Sequence, residues 1–116
     1  MPSMDEYWEM RNGLEIPNRS VLAAMTNKQS HADGTLSHEE MRFLERRAEG
    51  GFGLITTAAS HVQESGQGWI GEFGVWGDHH LPGLTLLATQ LKQHASKSFV
   101  QIFHGGMRAP SSITGQ

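Results

Sequence analysis

Cysteine is absent from the sequence. Its absence excludes disulfide bonds and thiolate metal sites, so any redox role of the chain must depend on a cofactor. A chain without cysteine also fits a reducing cytosol, and we expect a cytoplasmic protein. The nine Lys and Arg residues are scattered, and the formal net charge is −3. Binding of nucleic acid requires a basic stripe that neutralises phosphates, so we expect no nucleic-acid partner.

Long apolar runs and metal-ligand spacings are also missing. Gly, Pro and His interrupt the uncharged stretches, so we expect no contact with a membrane through a spanning segment. The acidic first ten residues lack the apolar core of a signal peptide. His79 and His80 are adjacent and point apart, no His-Glu-x-x-His pattern occurs, and we predict no metal site. The remaining composition, 37% hydrophobic and 18% charged, is ordinary for a globular protein, and 116 residues are enough for one domain.

Three short apolar segments predict β-strands, at Val21–Met25, Leu54–Ala58 and Phe99–Phe103. The first is a near-continuous apolar run, which is typical of a strand buried on both faces in a parallel sheet. Before it, the Pro17-Asn18 pair predicts a turn between two short extended pieces.

Two amphipathic helices are predicted between these strands. Ser37 and Glu40 form a capping box, in which the hydroxyl accepts from a backbone N–H and the carboxylate bonds back to the cap. That helix should end at Gly50-Gly51. Pro82 suits the first turn of the second helix. Its apolar positions repeat with helical spacing at Leu84, Leu87, Ala88, Leu91 and Ala95.

The order strand, helix, strand, helix, strand predicts a parallel α/β sheet. Ligands of such sheets bind beyond the carboxyl ends of the strands. That rule selects three stretches, which are Ala24–Asn27, Thr57–Ser60 and Gln101–Arg108. A glycine-rich loop of about twenty residues follows the second strand, and loops of that length are often functional.

Several polar and aromatic residues near these ends allow more than one interpretation. Gln101 lies in an apolar strand, where an unsatisfied buried amide costs about 1–3 kcal/mol, so it either bonds a polar neighbour or water or binds a ligand. His104 is a base, a ligand or a packed histidine bonded to backbone, and its residue type favours the last. Trp69, Phe73 and Trp76 either cover a ligand or form a patch that pins the loop.

Four segments match, in order and in spacing, motifs of one enzyme family. They are NRSVLAAMT at 18–26, RAEGGFGLI at 47–55 with the strand end at 57–59, GVWGD at 74–78 and VQIFHGG at 100–106. In these segments the chain resembles the Old Yellow Enzyme-like NADH:flavin oxidoreductases. The resemblance implies an α/β fold in which residues 1–116 form the N-terminal portion of a single FMN-binding domain, a (β/α)8 TIM barrel. That part would be β-α-β-α-β with an N-terminal hairpin and would leave the barrel incomplete.

The same resemblance implies an activity and a set of cofactor-binding residues. Members of the family are FMN-dependent ene-reductases, which use NADH or NADPH to reduce activated C=C bonds of enone-type α,β-unsaturated carbonyls. Ala24 and Met25 would border the flavin through backbone atoms, and Thr26 would hydrogen-bond its O4/N5 edge. Ala58 would pack against the pyrimidine part, and Gln101 would bind the pyrimidine edge.

The chain departs from the family in several residues and in length. Ala24 stands where many members have Pro, and Lys28 where some have an aromatic substrate contact, so the resemblance does not define the substrate. A complete barrel needs about 250 residues. We therefore expect a fragment that is inactive alone and that forms a homo-oligomer or is completed by the missing part of the barrel. The alternative is a non-catalytic small α/β binding module or a truncated product without activity.

Overall fold

The computed structural model describes residues 3–114, which form one small hairpin and one parallel sheet with its helices. The strands are β1 (Trp8–Glu9), β2 (Glu15–Ile16), β3 (Val21–Leu22), β4 (Leu54–His61) and β5 (Lys97–Phe103). The helices are α1 (His38–Glu49), α2 (Leu81–Leu91) and the short α3 (Ser111–Thr114). None of the helices in this described part is long and apolar enough to cross a membrane.

Strands β3, β4 and β5 form a parallel sheet in the order β3-β4-β5. Leu54 of β4 lies opposite Val21 on one side and Lys97 on the other. Since α1 and α2 connect the strands, the predicted alternation is confirmed. An N-terminal hairpin is also present, but it is the antiparallel pair β1–β2. The two extended pieces on either side of Pro17-Asn18 belong to different sheets and do not pair with each other.

Helix α1 begins as predicted and differs in one detail of its cap. The Ser37 hydroxyl accepts from the Glu40 N–H at 3.1 Å. The predicted return bond from Glu40 to the cap is wrong, because the Glu40 carboxylate accepts from the Ser30 hydroxyl instead. The Ser37 N–H in turn donates to Ser30 Oγ at 3.4 Å. The hydroxyl of the buried Ser30, in the loop before α1, therefore bonds both members of the capping box, Glu40 through its carboxylate and Ser37 through its backbone N–H. The helix ends before Gly50, and Gly51 has a φ of +107°.

The hydrophobic core lies between β4 and the two long helices. Its central side chains are nearly inaccessible, and each contributes about 1.5–3 kcal/mol through burial. The cluster consists of Leu22, Leu36, Met41, Leu44, Ala48, Ile55, Ala58, Phe73, Leu87 and Leu91. Within α2, the prediction holds for Leu87 and Leu91, whereas Ala88 is exposed and Ala95 lies beyond the end of the helix.

Strand β3 is shorter and more exposed than predicted. It ends at Leu22 rather than Met25, and the Val21 side chain is 50% exposed while Leu22 is buried. The predicted burial on both faces is wrong, because β3 is an edge strand of a three-stranded sheet and only its helix-facing side is covered. Strand β5 is the other edge, and six of its seven residues are exposed.

Candidate functional site

The carboxyl ends of β3, β4 and β5 meet at one edge of the parallel sheet, as predicted. The loops that leave this edge begin at Ala23, Val62 and His104. The loops after β4 and β5 are in contact, since the Val62 N–H donates to the Phe103 carbonyl at 3.1 Å. Strand β4 extends to His61, three residues past its predicted end. Ala58 therefore lies within the strand and not in the loop beyond it.

A β-bulge interrupts β4 close to this edge. The register passes from Thr56 opposite Phe99 to Ala59 opposite Gln101, so β4 contains one extra residue. The Gln101 N–H donates to Thr57 Oγ1 at 3.1 Å, and the Thr57 hydroxyl donates to the Ala58 carbonyl at 2.8 Å. Bulges re-aim side chains and occur often beside active sites. The sequence selects the stretch Thr57–Ser60 but gives Thr57 no individual role, although a hydroxyl inside an apolar strand is a signal for one.

Gln101 lies on the face of the sheet away from the helices. Its neighbour Val100 lines an apolar groove with Leu87 and Leu91 of α2. Because side chains alternate along a strand, Gln101 points to the opposite face. The expectation of a buried amide is wrong for this chain, since β5 is an edge strand and Gln101 is exposed. Within residues 3–114 its side-chain amide has no hydrogen-bond partner.

The loop after β3 carries the other predicted contacts. Ala24 is half-buried, Met25 is 46% exposed, and Thr26 is exposed. The Thr26 hydroxyl forms no hydrogen bond with any other described residue. Ala58, in contrast, is 6% exposed and belongs to the core cluster beside the bulge. Of the five predicted residues, Thr26 and Gln101 therefore present free polar groups at this end of the sheet.

His104 joins the loops after β4 and β5. Its Nδ1 accepts from the Gly106 N–H at 2.8 Å, and its Nε2 lies 2.9 Å from Gln63 Oε1. Since Nδ1 accepts, Nε2 carries the proton that bonds the amide oxygen. His104 is exposed and not packed in the core, but its bond to the Gly106 N–H favours the interpretation of a histidine bonded to backbone. A Cβ on Gly66 would lie 2.6 Å from the His104 ring, so glycine here allows the ring to lie against the backbone. The sequence analysis missed Gln63 and Gly66.

Aromatic residues pin the long loop to the body of the molecule. Phe73 is fully buried in the core, and Trp69 packs with its ring centroid 5.4 Å from that of Phe103. The Trp76 ring contacts His79 and His80. Because these aromatic rings contact protein side chains, they favour the interpretation of a patch that holds the loop in place. The alternative, a cover for a ligand, is less consistent with these contacts.

Beneath this loop lies a buried group of ionisable side chains. His61 Nδ1 is 2.9 Å from Glu72 Oε1, an ion-pair distance without the alignment of a hydrogen bond. Glu72 also accepts from the Gly68 N–H at 3.1 Å. Burial lowers the pKa of His80, and the neighbouring imidazoles of His79 and His61 lower it further. No cluster of three or more His, Cys, Asp or Glu side chains that could hold a metal ion occurs among the described residues.

Comparison with known proteins assigns the family. The profile of the NADH:flavin oxidoreductase / NADH oxidase family matches residues 9–116. The chain belongs to this family. A probable NADH-dependent flavin oxidoreductase of Bacillus subtilis, YqiG, is 33% identical over 111 residues, which are 96% of this chain and 30% of that protein. An NADPH dehydrogenase of Bacillus licheniformis is 34% identical over 103 residues, 88% of this chain and 30% of its own length.

Solved structures show the same fold in the family's barrel proteins. A 2-naphthoyl-CoA reductase superposes with a TM-score of 0.90 at 27% identity, over 97% of this chain and 17% of that chain. An Old Yellow Enzyme homologue from Zymomonas mobilis superposes with a TM-score of 0.91 at 23% identity, over 99% of this chain and 32% of its own. The chain therefore has the fold of part of a TIM barrel, and it spans about 30% of the length of the curated relatives named above.

Proposed function

We propose that this chain forms one side of the FMN site of an NAD(P)H-dependent flavin oxidoreductase. The reaction proposed is the reduction of activated C=C bonds in α,β-unsaturated carbonyls. One observation carries the proposal: Thr26 and Gln101 present an unpaired hydroxyl and an unpaired amide at the carboxyl ends of β3 and β5. Membership of the NADH:flavin oxidoreductase family supports it.

The spacing of the strands that lead to these two groups suits a flat ring system. Strands β3 and β5 are separated by β4, and two strand spacings amount to about 10 Å. A flavin lying across the strand ends would meet a hydroxyl donor on one side and an amide on the other. The pyrimidine edge of a flavin presents two carbonyl oxygens and an N–H between them. An amide, which carries both a donor and an acceptor, is complementary to that edge.

Each of the five residues has a distinct role in this proposal. Thr26 donates to the O4/N5 edge, where a donor stabilises negative charge on the reduced ring and raises its reduction potential. Gln101 binds the pyrimidine edge, and Ala24 and Met25 border the ring through backbone atoms. Ala58 packs close to the pyrimidine part of the ring, where a larger side chain would clash. When bound, FMN supplies hydride transfer between the nicotinamide and the alkene.

Catalysis requires residues outside this chain. The chain spans about 30% of its curated relatives, and the described part presents one side of a ring site. We therefore propose that the substrate-anchoring groups, the proton donor and the phosphate-binding loops are contributed by the rest of a barrel, in the same polypeptide or a second one.

The test uses a complete barrel that carries these residues. We expect a yellow protein that bleaches when NADH or NADPH is added anaerobically. Thr26→Ala should lower the flavin potential and slow its reduction by NAD(P)H while FMN stays bound, because the ring loses one donor. Gln101→Ala should weaken FMN binding about tenfold, as expected for one lost hydrogen bond.

Thr85→Ala, an exposed substitution on α2, is the matched control and should change neither property. An unchanged potential in the Thr26 variant would contradict the role of its hydroxyl. A colourless complete protein that takes up no added FMN would favour the non-catalytic module instead.

A further inference from the structure

The turn that follows Thr26 contains a strained backbone position. Lys28 has a φ of +54°, and no other non-glycine residue among residues 3–114 has a positive φ. Long side chains rarely adopt this region, and such outliers persist only where their surroundings impose them. On either side of it, the Asn27 side chain is half-buried and the Ser30 side chain is buried. The groups that hold these two side chains therefore help to set the course of the backbone directly after Thr26.

The Glu40 carboxylate faces both of these side chains. Glu40 lies in the first turn of α1 and is 1% exposed. Its carboxylate accepts from the Ser30 hydroxyl. Burial raises the pKa of this carboxyl, and the Ser30 hydroxyl and the Asn27 amide beside it oppose the shift. The Asn27 Nδ2 is buried without an aligned hydrogen bond inside residues 3–114, and the Glu40 carboxylate is the acceptor that it approaches.

The long loop after β4 holds the same turn through backbone contacts alone. The Ser30 N–H donates to the Gly71 carbonyl at 3.0 Å. A Cβ on Gly71 would lie 2.5 Å from the Lys28 carbonyl oxygen, so the two backbones are in direct contact. Glu40 thus supplies the side-chain contacts of the turn, and a change at Glu40 leaves the backbone contacts with Gly71 in place.

We propose that Glu40 is a positioning residue that, through Asn27 and Ser30, sets the position of the Thr26 hydroxyl at the flavin site. The inference rests on the proposed function, in which that hydroxyl raises the reduction potential of the ring. The Thr26 hydroxyl forms no hydrogen bond with any other described residue, so its position depends on the backbone around it. Strand β3 ends at Leu22, whereas the turn held by Glu40 begins at the next residue, Asn27.

The experiment measures the reduction potential of FMN bound to the complete barrel. Glu40→Gln keeps the size of the side chain, but it offers one acceptor oxygen to two donors, so one side of the turn should be released. The potential should fall, in the direction expected for Thr26→Ala. Ser30→Ala removes one donor, leaves the carboxylate in place and should shift the potential in the same direction.

A double variant shows whether Glu40 acts through Thr26. Two changes that act through one hydroxyl are not additive. The potential of Glu40→Gln combined with Thr26→Ala should therefore equal that of Thr26→Ala alone. The matched control is Glu39→Gln, which removes the same charge from an exposed position in the same turn of α1 and should leave the potential unchanged.

Three results would overturn the inference. One is a rise in the potential of Glu40→Gln, because the loss of a nearby negative charge favours the reduced ring directly. Another is a shift that persists in full in the Thr26→Ala protein. The third is a loss of stability in urea with an unchanged potential, which would make the role of Glu40 structural only.

Failure of this inference can be told apart from failure of the proposed function. If Thr26→Ala shifts the potential and neither Glu40→Gln nor Ser30→Ala does so, only the inference on Glu40 fails. If the complete protein takes up no FMN, or if Thr26→Ala leaves the potential unchanged, the proposed flavin site fails with it.

Discussion

At the scale of single residues, Thr57 allows β4 to contain a bulge without leaving a backbone donor unpaired. The extra residue moves the carbonyls of β4 out of register with β5. The buried Thr57 hydroxyl accepts from the Gln101 N–H and donates to the Ala58 carbonyl, so both groups of the distorted ladder are satisfied. Because the hydroxyl bonds the backbone of Gln101 within β5, it also positions the residue that we propose binds FMN.

We predict that Thr57→Val destabilises the protein by about 1–3 kcal/mol. Valine has nearly the same shape, but it leaves the Gln101 N–H without its partner. The free energy of unfolding in urea would be measured for this variant and for Thr85→Val, an exposed threonine on α2. The control should remain within about 0.5 kcal/mol of the original protein. Equal losses in the two variants would show that the hydroxyl does not stabilise the bulge.

At the scale of elements, the loop from Val62 to Gly77 is held by close approaches of its glycines. A Cβ on Gly71 would lie 2.5 Å from the Lys28 carbonyl oxygen, and one on Gly66 would lie 2.6 Å from His104. The Ser30 N–H donates to the Gly71 carbonyl at 3.0 Å. The long loop is therefore packed against the loops after β3 and β5, and glycine is what allows the approach.

Gly71→Ala should destabilise the protein more than Gly13→Ala does. Both glycines have positive φ, +94° and +88°, so both variants incur the left-handed strain of about 1–2 kcal/mol. A Cβ at Gly13 meets nothing within 4 Å, whereas at Gly71 it meets backbone. The overpacking adds about 1–3 kcal/mol. Thermal or urea unfolding of the pair measures the difference, and identical losses would exclude a close approach at Gly71.

His80 should make this part of the fold sensitive to acid. Burial is the main cause of its lowered pKa, His79 and His61 add to the effect, and the Asp33 carboxylate opposes it. A base whose folded pKa is depressed stabilises the fold fully above its ordinary pKa of 6.5. That contribution is lost as the pH falls through the folded pKa, because the unfolded chain then binds the extra proton.

We therefore expect the free energy of unfolding to fall between pH 8 and pH 5, and to fall less in a His80→Phe variant. The measurement is urea unfolding at a series of pH values. His38→Gln, which replaces an exposed histidine at the start of α1, serves as the control and should keep the original pH dependence. A variant at His80 with an unchanged pH profile would assign the effect to other groups.

At the scale of the whole molecule, both edges of the parallel sheet are open. Along β5 the side chains of Phe99 and Val100 are 46% exposed and that of Ile102 is 71% exposed. An edge strand with apolar side chains is a template for pairing with another chain. We propose that in a complete barrel a further strand pairs with β5, and that the isolated 116-residue chain pairs with itself or with a complementing polypeptide.

Ile102→Lys should reduce self-association of the isolated chain. A charge on the edge strand opposes pairing between copies of β5, because a lysine would have to lose its hydration. Light scattering as a function of concentration measures the effect. Met107→Lys adds the same charge at an exposed apolar residue beyond the strand and should have little effect. A monodisperse monomer of the unsubstituted chain would contradict this prediction.

Local features of the fold could be predicted because they depend on neighbours in the sequence. The cap at Ser37, the end of α1 at Gly50 and Pro82 in the first turn of α2 are each encoded within a few residues. The order of strands and helices, the parallel sheet and the end of the sheet that carries the candidate site follow from the same local periodicities. For this protein, sequence alone therefore determined the element order and the location of the candidate site.

Tertiary structure decided what depends on residues far apart in the chain. Thr57 and Gln101 meet across 44 positions, and Gln63 and His104 across 41, so neither pair has a local signal. The apolar neighbours of Gln101 in the sequence predict that its side chain is buried. It is exposed, because β5 lies at an edge of the sheet. The bulge, the bond from Ser30 that replaces the expected return bond of Glu40 and the backbone of Lys28 likewise depend on contacts between segments that are not adjacent in the sequence. Local sequence patterns specify elements, whereas burial and hydrogen-bond partners depend on which elements become neighbours in space.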